Sequence, residues 1–270
     1  MESSAVWSWQ DGTVEDDALD AVAVGEDGSL YLVGDTRGSW GRENPANGTS
    51  EVVAVKLDSE GTEVFRWQGV GNSSSVAYAK AAATGPDGSM FIGGVGAQTA
   101  GEDSVFHSTV FHVASNGSLI WEWKVDDGDE DYLSGMASVG DGSGDIYVVG
   151  YTSPGLLQES QEDFVAYRLS SASGEVVWKW QGGSSLHAEL RGAVSVDDGH
   201  GVVVVGDSDS SPVAIKLDSN GTKLWEWNPE TFGWPRDEDG TTEPQSCSAA
   251  AAASTTSVVV ACSTYADFSG

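Results

Sequence analysis

The sequence predicts an all-β protein built from a repeated four-stranded unit, and three observations predict it. A pair of aromatics two residues apart recurs as Trp7-Ser8-Trp9, Phe65-Arg66-Trp67, Trp121-Glu122-Trp123, Trp178-Lys179-Trp180 and Trp225-Glu226-Trp227. The steps from Trp9 are 58, 56, 57 and 47 residues, a spacing that belongs to repeat architectures. Short apolar or alternating runs separated by glycine-containing turns fill each period, with 35 glycines against 7 prolines in 270 residues, and such runs read as strands in hairpins. No segment carries the 3.6-residue periodicity of an amphipathic helix.

The first repeat sets the pattern. Ala21 to Val24 is an apolar run, and Gly25-Glu26-Asp27-Gly28 is a turn signal. Leu30 to Gly34 is a second run, followed by a polar loop through Arg37 and Pro45. Val52 to Leu57, the turn Asp58-Ser59-Glu60-Gly61 and the run from Thr62 to Trp67 complete it. The same four runs are expected at Lys80 to Thr84, Met90 to Gly94, Val110 to Val113 and Leu119 to Trp123. They recur at Met136 to Val139, Ile146 to Gly150, Phe164 to Leu169 and Val176 to Trp180. A fourth set lies at Ala193 to Val196, Val202 to Gly206, Val213 to Leu217 and Lys223 to Trp227. The last repeat supplies Ser248 to Ala252 and Val258 to Cys262, and Asp267-Phe268 matches Asp163-Phe164 at the start of a third run.

Four antiparallel strands in roughly 40–60 residues are the signature of a propeller blade. Gly-Ser-Leu-Tyr-Leu-Val-Gly-Asp-Thr (28–36), Asp-Phe-Val-Ala-Tyr-Arg-Leu (163–169) and Gly-Thr-Lys-Leu-Trp-Glu-Trp (221–227) resemble the bacterial-type seven-bladed β-propeller repeat family. More distantly, the turn-plus-Trp unit resembles the tryptophan motif of quinoprotein (PQQ) propellers, and the blade is WD40-like. The resemblance covers essentially the whole chain and implies a β-propeller of four-stranded blades, about five blade units with the last incomplete. The expected organisation is a single domain, 1–270, with repeats at about 11–67, 68–123, 124–180 and 181–227, a partial repeat at 228–270, and a leading strand at 5–10 that closes the ring. Two readings stay open: a piece of a longer propeller, or a compact five-bladed ring with a defective last blade. In either, the aromatic pairs point to one face of the outermost strand and fill the wedge between blades, each Trp burying about 150–250 Å². Small residues (Ala21, Ala23, Ala81 to Ala83, Ala249 to Ala253) take the crowded inner strands.

Composition limits the partners. The formal net charge is −30, from 12 Lys and Arg against 42 Asp and Glu. Nucleic acid, which needs clustered cations, is excluded as a partner, and an anionic membrane surface fits no better. No apolar run is long enough for membrane insertion. The start, Met1-Glu2-Ser3-Ser4, carries no signal peptide as written, unless one lies upstream of a fragment, and an extracellular or cell-surface setting is expected. The acidity fits solubility, salt adaptation or a cation-binding surface.

Strand direction sorts the connections into two sets. Turns after the first and third strands are short and uniform. The others, 11–18, 35–50, 69–78, 95–107, 125–132, 151–162 and 228–246, are long and varied, which is where function sits on a rigid scaffold. They are also acidic: Glu15-Asp16-Asp17, Glu102-Asp103, Asp126-Asp127, Asp129-Glu130-Asp131, Glu159, Glu162 and Asp237-Glu238-Asp239. Loop carboxylates suit Ca²⁺, with Asp126, Asp127, Asp129 and Asp131 as metal candidates, although no EF-hand spacing is present. Asp141-Gly142-Ser143-Gly144-Asp145 lacks the distal glutamate and reads as an enlarged turn.

No catalytic constellation stands out. His107, His112, His187 and His200 are scattered, and His112 takes a packed strand position. There is no Gly-x-Ser-x-Gly, P-loop or Cys-x-x-Cys, and Ala, Val and Ser on the inner strands argue against a quinone cofactor. Cys247 and Cys262 flank a hairpin about two residues out of register, so a disulfide and two buried thiols both fit. Asn47, Asn72, Asn116 and Asn220 sit in Asn-x-Ser/Thr sequences, candidates for glycosylation, though Asn116-Gly117 and Asn220-Gly221 are also hairpin-turn dipeptides. The reading that follows is a non-enzymatic scaffold, without cofactor unless Ca²⁺, binding a protein or glycan through its long loops. A glycan-acting hydrolase with axial carboxylates, or a truncated fragment without activity, is the alternative. The sequence leaves the oligomeric state undetermined.

Overall fold

The computed structural model describes residues 7–40, 50–69, 77–85, 87–100, 103–125, 130–153, 162–185, 187–196, 200–209, 211–228, 245–254 and 257–264. Among these residues there are eighteen strands and no helix. By internal contacts the chain divides into two compact units, Met1–Val125 and Asp126–Gly270.

The first unit holds two four-stranded sheets. One contains β1 (Asp17–Val24), β2 (Leu30–Thr36), β3 (Glu51–Leu57) and β4 (Glu63–Gly69). The other contains β5 (Ala77–Thr84), β6 (Met90–Ala100), β7 (Asp103–Val113) and β8 (Leu119–Lys124). The second unit holds a third sheet of β9 (Glu130–Ser138), β10 (Ile146–Ser153), β11 (Glu162–Leu169) and β12 (Val176–Ser185). Its fourth sheet is β13 (Ala188–Val196), β14 (Gly201–Ser208), β15 (Ser211–Asp218) and β16 (Lys223–Trp227). A fifth has two strands, β17 (Gln245–Ser254) and β18 (Ser257–Thr264). In every four-stranded sheet the strands lie side by side in chain order, the antiparallel meander expected when each connection is a hairpin.

The segment 95–107, expected as a loop, is instead a hairpin arm. Pairing of β6 with β7 runs on from Gly94↔Thr109 to Ala100↔Asp103. Antiparallel pairing needs only backbone groups, so a polar sequence extends the ladder where nothing competes for those groups. The turns conform to type: Asp58 Oδ1 accepts from the N–H of Glu60 (2.9 Å) and Thr62 (2.8 Å), and Asp218 does the same for Asn220 and Thr222. These side chains replace the backbone partners the turn lacks.

Two bulges recur. In each first strand one residue is skipped in the register: Asp20, Lys80, Ser134, Arg191 and Ser248. In each fourth strand the skipped residue precedes the first aromatic of the pair: Val64, Ile120, Val177 and Leu224. A bulge leaves its extra residue unpaired and bends the strand, which is why these four aliphatics are exposed. The first bulge brings a carbonyl against the second strand. A Cβ on Gly34, Gly94, Gly150 or Gly206 would stand 1.9, 2.0, 1.8 or 1.9 Å from the carbonyl oxygen of Ala18, Tyr78, Tyr132 or Glu189.

The cores lie between consecutive sheets of a unit. Between the first and second sheets, Tyr31, Val33, Ala54, Met90, Ile92 and Phe111 are buried with Phe65 and Trp67 against them. Between the third and fourth, Tyr147, Val149, Phe164, Leu190, Val204 and Ile215 are buried with Trp178 and Trp180 packed on them. Within each unit the first sheet also grips the second through its first aromatic. The Trp178 indole Nε1 donates to the Ser219 carbonyl at 2.9 Å, and its ring fills the space a Cβ on Gly221 would need. Phe65 lies over Gly117 in the same way. Trp7 repeats the motif on the first sheet, donating to the Ser59 carbonyl at 3.3 Å with its ring over Gly61. Of the segment expected as a leading strand, residues 7–10 lie outside any strand, and Trp9 packs beside Trp40, ring centroids 6.2 Å apart.

Cys247 and Cys262 form a disulfide. They are direct partners in the register, not two residues apart, because the register shifts at Ala253 and Ser248 together absorb the offset. They hold the pair of positions taken elsewhere by Leu19 and Gly34, Ala79 and Gly94, Leu133 and Gly150, or Leu190 and Gly206.

Candidate functional site

At the short-turn ends of the sheets the basic residues have partners within the sheets and turns, and a cavity of about 370 Å³ opens between Asp27, Tyr31, Lys56 and Asp87. A basic residue occupies the same place on four third strands: Lys56, His112, Arg168 and Lys216. Each pairs with residues of the second and fourth strands: Tyr31 and Phe65, Phe91 and Trp121, Tyr147 and Trp178, Val203 and Trp225. Lys56 Nζ stands 4.9 Å over the Tyr31 ring and donates to the Gly88 carbonyl at 3.3 Å. His112 is buried, stacks on Phe91 at 4.2 Å and meets Ser89 Oγ at 2.9 Å through Nε2. Arg168 donates to Asp145 through Nε (3.0 Å) and to Asp141 through a terminal nitrogen (2.8 Å). The Asp141 to Asp145 turn is therefore a guanidinium clamp. Burial pushes the Asp141 carboxyl up, but the Ser143 hydroxyl and backbone N–H, then Arg168, outweigh it and hold the group below its ordinary range.

The long-connection ends differ. In the second unit the bulge residue Arg191 donates through Nε to Asp207 (2.8 Å) and pairs with Glu189 (2.8 Å). Glu189 also accepts from Ser134 Oγ, the bulge residue of the adjacent sheet, at 3.0 Å. Tyr132 and Tyr151 stack at 4.8 Å on the third sheet. Beyond them, Glu162 faces His187 Nδ1 at 3.6 Å and accepts from the Ala188 N–H at 3.2 Å. In the first unit, the bulge residues Asp20 and Lys80 of adjacent sheets pair at 3.6 Å. Asp35 accepts from Ser50 Oγ at 2.6 Å. Burial raises its pKa against that hydroxyl, and the Asp20 charge adds to the rise. Asp17 accepts from Thr36 Oγ1, and Asp16 pairs with Arg37 at 3.2 Å.

Bulges re-aim side chains, and here they gather the bulge residues of neighbouring sheets into charged, hydroxyl-bearing rows. Carboxylates exceed cations in both: Asp20 and Asp35 to Lys80, Glu189 and Asp207 to Arg191. Such rows offer oriented acceptors and a few fixed donors, with two stacked tyrosines beside one of them.

Of the metal candidates, Asp126, Asp127 and Asp129 lie outside the described residues, and Asp131 is buried on β9 opposite Thr152. Among the described residues no cluster of three or more His, Cys, Asp or Glu is arranged to hold a metal. Glu102, Glu159 and Asp237 to Asp239 also lie outside them, as do Asn47 and Asn72. Asn116 is exposed in its turn, with Oδ1 accepting from the Ser118 N–H (3.0 Å) and Oγ (2.7 Å); Asn220 is likewise exposed. The rows themselves were not legible in the sequence. Their signal is the residue two before the repeated small residue of the first strand, where Arg191 and Lys80 break an otherwise acidic or small-residue run.

No family model matches the chain, and no curated protein matches it. Among solved structures, a protein of unknown function from Dyadobacter fermentans DSM 18053 is similar at TM-score 0.54 and 11% identity, over 89% of this chain and 73% of that one. A structure described as the Dos1 propeller aligns at TM-score 0.44 and 10% identity over 87% of this chain and 49% of that one. An uncharacterized protein of Listeria monocytogenes EGD-e aligns at 0.34 and 12%, over 83% and 69%. At these identities the first likeness speaks for the fold alone.

Proposed function

We propose that this protein is a non-enzymatic scaffold of the β-propeller type, its sheets serving as blades, which captures a protein or glycan through the long-connection ends of those blades. One observation carries the reading: the two ends of the sheets are used differently. At the short-turn ends Lys56 and His112 lie against aromatic rings and Arg168 is clamped by the Asp141 to Asp145 turn. At the long-connection ends bulges present Arg191, Glu189, Asp207, Ser134 and Tyr151 together, beneath connections of varied length. Oriented carboxylates, hydroxyls and stacked aromatics are the groups that bind sugar hydroxyls or a basic peptide. The disulfide supports an extracellular or cell-surface setting, since such bonds persist in oxidising compartments. The test replaces connections 126–129 and 154–161 by two-residue turns and compares both proteins on a glycan array and against a basic-peptide library. Binding by the parent that the shortened variant loses, with unchanged circular dichroism, supports the reading; equal binding by both sinks it.

A second reading rests on Asp35. A carboxyl raised by burial beside Lys80 and a second carboxylate is the kind of group that donates a proton in glycoside hydrolysis. Turnover of a polysaccharide panel that Asp35→Asn abolishes would establish it, and turnover indifferent to that change would end it.

A further inference from the structure

We infer that the cavity between the first and second sheets, at their short-turn ends, binds a free basic amino acid with its carboxylate inward and its cations outward. The cavity measures about 370 Å³ and is framed by the turn between β1 and β2 and the turn between β5 and β6. Lys56 and Tyr31 are buried at its base, and Glu26, Asp27 and Asp87 are exposed at its rim. That volume, with a few placed polar groups in the lining, is that of a small-molecule site.

The base carries the inference. Lys56 is 7% exposed, yet among the described residues its ammonium forms no ion pair and donates one hydrogen bond, to the Gly88 carbonyl at 3.3 Å. The Tyr31 hydroxyl donates to the same carbonyl at 2.9 Å, and the Tyr31 ring centroid lies 4.9 Å from the ammonium. Lys56 is thus held in place across the two sheets with two of its three N–H donors uncommitted. A charge so placed is costly unless it is paired. The third sheet shows how the chain otherwise closes this gap. Arg168, at the same place on its sheet, reaches the first turn and pairs with Asp141 at 2.8 Å and Asp145 at 2.9 Å. The compact head of a lysine makes no such pair with the Gly25 to Ser29 turn, and a cavity with a fixed cation at its base results.

The rim sets the rest of the ligand. Asp27 accepts from the Ser29 N–H at 2.9 Å and Asp87 from the Ser89 N–H at 3.1 Å, which fixes both carboxylates. The Ser29 N–H and hydroxyl hold Asp27 below the ordinary carboxylate range, and the Ser89 hydroxyl and N–H do so for Asp87. Both are therefore anionic at neutral pH. One inner cation ringed by carboxylates is the complement of a molecule with one carboxylate and two cations. In a basic amino acid the carboxylate meets Lys56, and the α-ammonium and side-chain cation meet the rim through charge-assisted hydrogen bonds. A diamine would instead bring a cation against Lys56.

The test is isothermal titration calorimetry of the full chain with L-arginine and L-lysine in low-salt buffer, since the rim charges are exposed to screening. Saturable binding is expected. Agmatine, which lacks the carboxylate, and L-norvaline, which lacks the guanidinium, should each bind at least about tenfold more weakly, as for loss of a hydrogen bond between charged groups. Lys56→Met should cost L-arginine a similar factor. Lys56→Arg keeps the charge but should close onto the turn as Arg168 does, losing the ligand without a fall in melting temperature. Asp87→Asn keeps the acceptor for the Ser89 N–H and should weaken L-arginine about tenfold, so it decides the matter if Lys56→Met fails to fold. No saturable binding of either amino acid overturns the inference. So does agmatine bound as tightly as L-arginine, or binding indifferent to Lys56→Met or to Asp87→Asn. None of these outcomes bears on capture at the long-connection ends, which uses other residues.

Discussion

The Cβ that Gly150 lacks would stand 1.8 Å from the carbonyl oxygen of Tyr132. The bulge at Ser134 turns that carbonyl toward the neighbouring strand, and glycine is the one residue that lets it pass. Gly150→Ala must therefore push two paired strands apart. It should cost about 3 kcal/mol, at the upper end of overpacking, read as a lower urea midpoint. Gly142→Ala is the control: nothing lies within 4 Å of its Cβ and only its φ of +81° resists, so it should cost about 1 kcal/mol. Equal losses would show that backbone conformation, not the bulge, sets the requirement.

Trp178→Phe keeps most of the buried ring but removes the donor to the Ser219 carbonyl. The expected loss is about 1 kcal/mol. Trp178→Ala adds the cavity and should lose about 3–5 kcal/mol. Chemical denaturation of the two variants separates the hydrogen bond from the packing.

Arg168→Met should destabilise by about 3 kcal/mol, because two carboxylates that share a largely buried guanidinium are left without it. The loss should shrink when Asp141→Asn and Asp145→Asn are added, as a double-mutant cycle would measure. A full loss that persists in the triple variant would place the effect in packing against Tyr147 and Trp178.

Two carboxyls should give opposite pH slopes. Asp141 is held below its ordinary 3.8, so its contribution is complete above that value and is lost as pH falls through the lower folded value. Asp35 lies above 3.8, so its neutral form is favoured in the fold and stability falls as pH rises from 3.8 through the folded value. Unfolding free energies of Asp35→Asn across that window should lack the second slope and keep the first.

Reducing the disulfide, or replacing both cysteines by serine, should cost the fifth sheet about 3 kcal/mol, as expected for the sequence separation of 15 it spans. Amide exchange should report the loss in β17 and β18, leaving β9 to β12 protected.

The strands were legible because each repeats the same small vocabulary. A run such as Val52 to Leu57 can do little but pair on both edges, and Asp-x-x-Gly closes a hairpin through its own side chain. The pairs Phe65 and Trp67, and Trp178 and Trp180, were legible as packing between sheets for the same reason. The bulges were not: skipping Asp20 or Arg191 leaves no mark on an apolar run, since register is a relation between two strands. Through the bulges everything that followed was hidden as well. They set Cys247 directly opposite Cys262, and they lined up Ser134 with Glu189 and Lys80 with Asp20. The arm at 95–107 was hidden because polar residues pair as readily as apolar ones when only the backbone is involved.

The order of local elements and their four-fold recurrence were thus determined by the sequence alone, since each rests on period, side-chain volume and turn chemistry within a few residues. Which carboxylates meet a cation and which glycine is obligatory were decided only by the tertiary structure, because each depends on where a neighbouring strand or sheet places one carbonyl or one charge.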